Sequence, residues 1–232
     1  MKNKIFEKEI SIDSTHLLLK TDVKTNIEEY IINQREIIQK QINKNPKFNG
    51  YKPVDIITSP RILELMTNAG KIAGIGPMSS VAGSISQVCL EYLEKHETKF
   101  SVLENGGDIA LKTNKELILG IYAGKSIFTN NIALKIKSKK EGYGICTSSG
   151  TVGPSKSFGK TDATIILGKE ASICDSLATK IANFGNGEDD EEIVNNSLEK
   201  AEEYLEYCDG IIVIKGEYLA KIGNIPRIVK ME

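Results

Sequence analysis

The chain has 232 residues, 40% hydrophobic and 26% charged, with 30 Lys+Arg against 31 Asp+Glu and a formal net charge of -1. That supplies enough apolar material for one sizeable core, read here as a single α+β domain over residues 1–232. The charge balance excludes a basic nucleic-acid footprint, and no apolar run reaches membrane-spanning length.

In chain order, residues 4–12 and 16–22 alternate around Asp13-Ser14 and predict a hairpin. Residues 25–43 place Ile27, Tyr30, Ile31, Ile37, Ile38 and Ile42 at helical spacing. Ser59-Pro60 reads as a helix start, with the helix running to about Gly70. GIGPMSSVAG at 74–83 leads into another helix, whose first turn offers Ser79 and Ser80. Strands are expected at 100–103, 108–113, 116–122, 131–137 and 161–167. The KIKSKK run at 135–140 reads as a solvated hairpin end. Helices follow from Ala171 to Phe184 and over about 189–206, then strands at 211–216 and 225–230. Helix and strand blocks around 78–122 and 161–214 hint at two related αβ halves. Hairpin-linked strands predict antiparallel or mixed sheets with packed helices.

Four cysteines, Cys89, Cys146, Cys174 and Cys208, sit in apolar stretches without a CxxC pair, and only His16 and His96 occur. A zinc site of standard spacing is therefore excluded, and free buried thiols are expected. With no signal-peptide core at the start, the expected compartment is the reducing cytoplasm.

Gly159-Lys160-Thr161 imitates the end of a phosphate loop. Five residues separate it from Gly153 where four are needed, and a β-branched strand follows instead of a helix. GIGPMSSVAG could hold an anion on helix N–H groups, although small residues also serve close packing. In ENGGDI, 104–109, Asn105-Gly106 suits a tight turn, and a second glycine exceeds the turn's need. Gly106 and Gly107 would let a ligand touch the backbone, with Asp108 beside it for a hydroxyl or metal. CTSSGTVG supplies Thr147, Ser148 and Ser149 to a phosphate or ring edge, or simply forms a polar turn. No histidine lies near in sequence to activate a serine. Asp175 and Thr179, four apart in ASICDSLATKIAN, share one helical face. That pair suits Mg²⁺, or else forms a hydrogen-bonded surface pair.

The ordered set ENGGDI, ELILGIYAG, GICTSSG and DATIILGKEASICDSLATKIA, over about residues 74–184, resembles the ApbE-like superfamily. Its members show a GGD turn, a TSG loop and an Ala-Asp-Ala-Leu-Ala-Thr helix. The combination with SSVAG and FGK is most similar to the short branch found largely in archaea and some bacteria. The resemblance implies an FAD- or FMN-handling protein that uses Mg²⁺ in phosphoryl-type chemistry, either FMN transfer or FAD hydrolysis. It assigns Asp175, Thr179 and a backbone carbonyl near Val81 to the metal. Gly106, Gly107, Asp108, Thr147, Ser148, Ser149 and Ser80 would face the cofactor. Full-length transferases carry a His and an Asp-Pro-x-Thr-Gly segment after the TSG loop. Here TVGPSKSFGKTDA has neither, leaving Lys156 and Lys160 as phosphate ligands, and the alternative is a flavin or nucleotide binder without transferase activity. The expected partner is a small phosphorylated ligand, not nucleic acid or membrane, with a homodimer left open.

Overall fold

The structure, a computed structural model, describes residues 4–57, 60–150 and 159–231. Strands β1 (Phe6–Ile12) and β2 (Thr15–Thr21) form the expected hairpin, with Asp13 left-handed at φ 50° in its two-residue turn. Arg35 clamps that turn, donating to Asp13 at 3.1 Å and Thr15 at 2.6 Å. Arg35 belongs to α1 (Glu28–Lys44), which buries Ile31 and Ile38 and opens with Glu28 and Glu29, favourable to the helix dipole.

Helix α2 (Arg61–Ala73) runs past the expected stop at Gly70. Gly74, at φ 66°, supplies the left-handed ending instead. Gly70 stays inside the helix because a Cβ there would lie 2.8 Å from the Ile75 carbonyl. Pro60 precedes the first turn, while Ser59 lies outside the described residues. A 3-10 turn over Pro77–Ser80 feeds α3 (Val81–Glu94).

The remaining strands are β3 (Phe100–Asn105), β4 (Asp108–Thr113), β5 (Leu117–Gly120), β6 (Ile132–Ile136), β7 (Lys139–Ser148), β8 (Ala163–Gly168), β9 (Gly210–Lys215), β10 (Tyr218–Gly223) and β11 (Arg227–Lys230). Helices α4 (Ala171–Ala182) and α5 (Asp190–Ala201) lie between β8 and β9, and a 3-10 turn ends the second of them. An eight-stranded sheet runs β1-β2-β3-β4-β7-β8-β9-β10, and a three-stranded sheet runs β11-β6-β5. Every pairing in both is antiparallel. The architecture is the α+β one expected.

Two differences from the expectation have physical causes. The ten-residue β7 covers a stretch missing from the expected strands, because Lys139, Lys140, Gly142 and Gly144 depress strand propensity. Gly144 is there for packing: a Cβ would sit 2.6 Å from Ala171 Cα, so the glycine lets α4 settle on the sheet. The KIKSKK stretch is not a hairpin end, since it links β6 in the small sheet to β7 in the large one. Residues 218–223 also form a strand the pattern had not suggested.

The large sheet is buried on both faces. In β9, Ile211 and Val213 join the helix-side core, while Ile212 and Ile214 join the core under the small sheet. Strand periodicity of two sends alternate side chains to opposite layers, which explains the unbroken IIVI run. The resulting order is helices, large sheet, small sheet. Among the described residues, no helix is long and apolar enough to cross a membrane.

Candidate functional site

The site lies where the β3–β4 hairpin, the end of β7 and the starts of α3 and α4 meet. Asn105 and Asp108 close the hairpin, so Gly106 and Gly107 are its two central residues, at φ 65° and 100°. Both positive angles belong to the mirror-type turn, so the second glycine is not surplus to it, contrary to expectation. The turn is nevertheless open: a Cβ on Gly106 would meet nothing within 4 Å. Asn105 Nδ2 donates to the Ala82 carbonyl at 3.3 Å, and Ser86 Oγ donates to the Asp108 carbonyl at 2.9 Å. These bonds fasten the turn to α3.

Asp175 projects from α4 and accepts the Gly83 N–H at 2.8 Å on Oδ2. That N–H is one of the unpaired donors of the first turn of α3, and Ser80 gives no side-chain cap. Asp175 therefore caps α3 from another helix. The contact is close because Gly83 has no Cβ; one would lie 2.8 Å from Asp175 Cβ and 2.5 Å from the Ala171 carbonyl. Asp175 is buried, not on the exposed face that a surface pair would require. The helix start expected to hold an anion already faces this carboxylate.

Two hollows meet at this point. The first, of about 380 Å³, lies between the sheets and is reached by Glu104, Gly106, Gly107, Asp108, Thr147, Ser148, Ser149, Asp162, Asp175 and Thr179. Its apolar walls include Ile109, Leu119, Ile121, Ile145 and Ile165, with Tyr122 at the exposed side. The second, of about 480 Å³, lies on the helix side and is lined by Tyr51, Ile75, Met78, Ser79, Val81 and Asn183 among others. Asp108, Asp175 and Thr179 line both. Volumes of this size suit small-molecule ligands.

The electrostatics are unusual. Asp108 is 8% exposed, and its Oδ1 has no hydrogen-bond partner among the described residues. Burial pushes its carboxyl well above the usual range, and the neighbouring Asp175 pushes it further; the Cys146 thiol and Thr147 backbone act the other way. Burial likewise raises Asp175, to about 7, against the lowering contact from Gly83 N–H. Among the described residues, neither hollow is lined by Lys, Arg or His. A buried pair of carboxyls without a protein cation either keeps protons or takes up a cation.

The donor set indicates which cation fits. Among the described residues, no group of three or more His, Cys, Asp or Glu side chains is placed to hold a metal. Two carboxylates, the Thr179 hydroxyl and a backbone carbonyl are oxygen ligands. They suit a hard ion such as Mg²⁺ that keeps several waters, and not a thiolate- or imidazole-bound one.

The residues singled out from sequence thus divide. Gly106, Gly107, Asp108, Thr147, Ser148, Ser149, Asp175 and Thr179 line the first hollow, and Val81 lines the second. Ser80 lines neither: it is fully buried, and its hydroxyl donates to the Pro77 carbonyl at 3.0 Å. Its neighbour Ser79 takes the lining position, bonded to Gly76 O at 2.7 Å and Ser176 Oγ at 2.8 Å. Lys160 is turned to the Gly187 carbonyl at 2.9 Å and lines neither hollow. Lys156 lies outside the described residues. Sequence reasoning did not single out Glu104, Tyr122 or Asp162. Asp162 holds Lys215 at 3.2 Å and the Gly216 N–H at 2.9 Å, and nothing in its local pattern signals that.

The family model described as "AbpE bacteria" matches residues 6–217. A UPF0280 protein of Methanosphaera stadtmanae is 55% identical over 231 residues, covering 99% of this chain and 94% of that one. The chain belongs to this ApbE-like family. At the level of fold the similarity reaches further. The apo flavinyl transferase ApbE of Pseudomonas stutzeri superposes with a TM-score of 0.58 at 11% identity, covering 95% of this chain and 94% of that one. The flavin transferase ApbE of Vibrio cholerae gives 0.57 at 11%, covering 95% and 97%. The family thus shares its architecture with flavin transferases.

Proposed function

We propose that this protein binds a phosphorylated, ring-bearing cofactor of the flavin-nucleotide class together with Mg²⁺, and acts on its phosphate linkage by FMN transfer or FAD hydrolysis. The observation that carries the reading is the buried Asp108–Asp175 pair, shared by two ligand-sized hollows, with one carboxylate oxygen unpartnered among the described residues. The flavin transferases of the same fold supply the cofactor class. Four free thiols and no membrane-crossing helix among the described residues accord with a cytoplasmic setting.

In this reading, Asp175, Thr179 and the Val81 carbonyl hold the cation. When bound, Mg²⁺ neutralises charge that develops on the phosphate oxygens. Asp108 adds its free oxygen to the same charge balance. The open turn at Gly106 and Gly107 lets the phosphate-bearing chain approach backbone, while Thr147, Ser148 and Ser149 offer hydroxyls to its acceptor atoms. The apolar walls of the first hollow exclude water from a planar ring. Displacement at phosphorus needs no covalent protein nucleophile.

A second reading, a binder without turnover, rests on a specific observation. Both histidines are engaged elsewhere, His16 with Ser11 and His96 with the Tyr92 carbonyl, and neither lines a hollow. Incubation with FAD and Mg²⁺, followed by chromatography, separates the two. Release of FMN or AMP, abolished in Asp175→Asn, supports the enzyme. Bound intact FAD with no release selects the binder. Absence of both FAD binding and turnover overturns the flavin assignment.

A further inference from the structure

Glu104 is a carboxylate on an otherwise apolar face of β3. Strand alternation puts it on the side of Phe100 and Val102, which pack into the core beneath the small sheet. Its cross-strand neighbours are Leu18 on β2 and Ile109 on β4. It lines the first hollow, is half-buried, and makes no hydrogen bond or ion pair among the described residues. Lys112 on β4, by contrast, is bound to Glu94 at 3.0 Å.

An ionised carboxylate only accepts hydrogen bonds. Placed against Ile109, Ile145, Leu119 and Ile121, it disfavours a ring whose edge presents carbonyl oxygens and favours one presenting N–H groups. Two adjacent donors, a ring N–H beside an exocyclic amine, match its two oxygens. Of the other carboxylates in this wall, Asp162 holds Lys215 and the Gly216 N–H, and Asp108 and Asp175 form the buried pair read above as the cation site, so Glu104 is the carboxylate left to the ring.

We propose that Glu104 is a specificity residue of the first hollow, accepting hydrogen bonds from a planar ring that carries an amine next to a ring N–H, as guanine- and pterin-type rings do. The inference rests on the reading that a phosphorylated ring cofactor binds here, and favours a ring other than an isoalloxazine, whose ring N–H lies between two carbonyls. Guanine and hypoxanthine nucleotides test it, since they differ only by the exocyclic amine. Binding of GDP, IDP and FAD is measured by calorimetry at fixed Mg²⁺ for the wild type, Glu104→Gln and Glu104→Leu, with thermal melts confirming that each variant folds.

The expected result is GDP binding at least tenfold tighter than IDP in the wild type, with that ratio falling towards one in both variants. Equal binding of GDP and IDP overturns the assignment, as does a ratio that survives Glu104→Leu. FAD binding without either purine diphosphate also overturns it, while leaving the cofactor reading intact. Binding of none of the three overturns both.

Discussion

Two glycine-bearing stretches of this chain look alike and behave oppositely. Gly159-Lys160-Thr161 has the composition of a phosphate loop, yet its groups are engaged within the protein. The Lys160 N–H donates to the Gly185 carbonyl at 2.7 Å, its ammonium to the Gly187 carbonyl, and Thr161 is buried, with its hydroxyl accepting from Thr164. Gly106-Gly107-Asp108 has the composition of an ordinary hairpin turn, yet it opens onto a hollow and ends in a carboxylate oxygen with no partner among the described residues. Where a segment's polar groups are all matched internally, it has a structural role. A buried group left unmatched calls for an explanation, and the Asp108 oxygen belongs to a residue that lines both ligand-sized hollows.

The contrast can be broken by substitution. The largest effect belongs to Gly159→Ala, because a Cβ there would lie 1.7 Å from the Ala182 carbonyl oxygen. Backbone must move, and chemical denaturation should show a loss of about 3 kcal/mol. Were the variant as stable as the parent, the packing role of this stretch would be wrong.

The next effect concerns pH. The carboxyls of Asp108 and Asp175 are raised in the folded protein, the latter to about 7. Between the ordinary range near ~4 and that raised value, the unfolded chain gives up these protons while the folded chain keeps them, so stability falls as pH rises. The melting temperature of the metal-free protein should therefore decline across that window, by the equivalent of about 1 kcal/mol or more. Asp108→Asn should flatten the decline, and Mg²⁺ should reverse it at neutral pH. A melting temperature that climbs over the same range would contradict the burial of an uncompensated pair.

Gly106→Ala should be milder than Gly159→Ala. The added methyl group meets open space, and only the left-handed backbone resists it, at about 1–2 kcal/mol. Equal losses for the two glycines would erase the distinction between a packed and an open turn. The smallest change is expected for Lys160→Ala, within about 0.5 kcal/mol, since its contact to Gly187 is exposed. Nucleotide binding should be unaffected, and a marked loss would restore Lys160 to the site.

The two hairpins and the two small-residue helices were legible because their signals are local. Alternation, Asp13-Ser14, Gly106 and the spacing of Asp175 with Thr179 each state a geometry within a few residues. What escaped depends on contacts distant along the chain. Strand β7 escaped because Gly144 answers to Ala171, not to its neighbours in sequence. Ser80 and Ser79 are equivalent in the sequence, and only the 3-10 turn over Pro77–Ser80 decides which hydroxyl reaches a hollow. Glu104 reads as the first residue of the ENGGDI turn until β3 is seen to run through it and the small sheet is laid across its face.

The account stands or falls on whether the buried Asp108–Asp175 pair takes up a cation. Titration of the metal-free chain with Mn²⁺, followed by electron paramagnetic resonance, reads that directly. The expected result is one bound ion per chain, displaced by Mg²⁺ and weakened at least tenfold in both Asp108→Asn and Asp175→Asn. Mn²⁺ that stays free in the wild type, or binds equally in all three proteins, would show that the two hollows meet at nothing more than a pair of protonated acids.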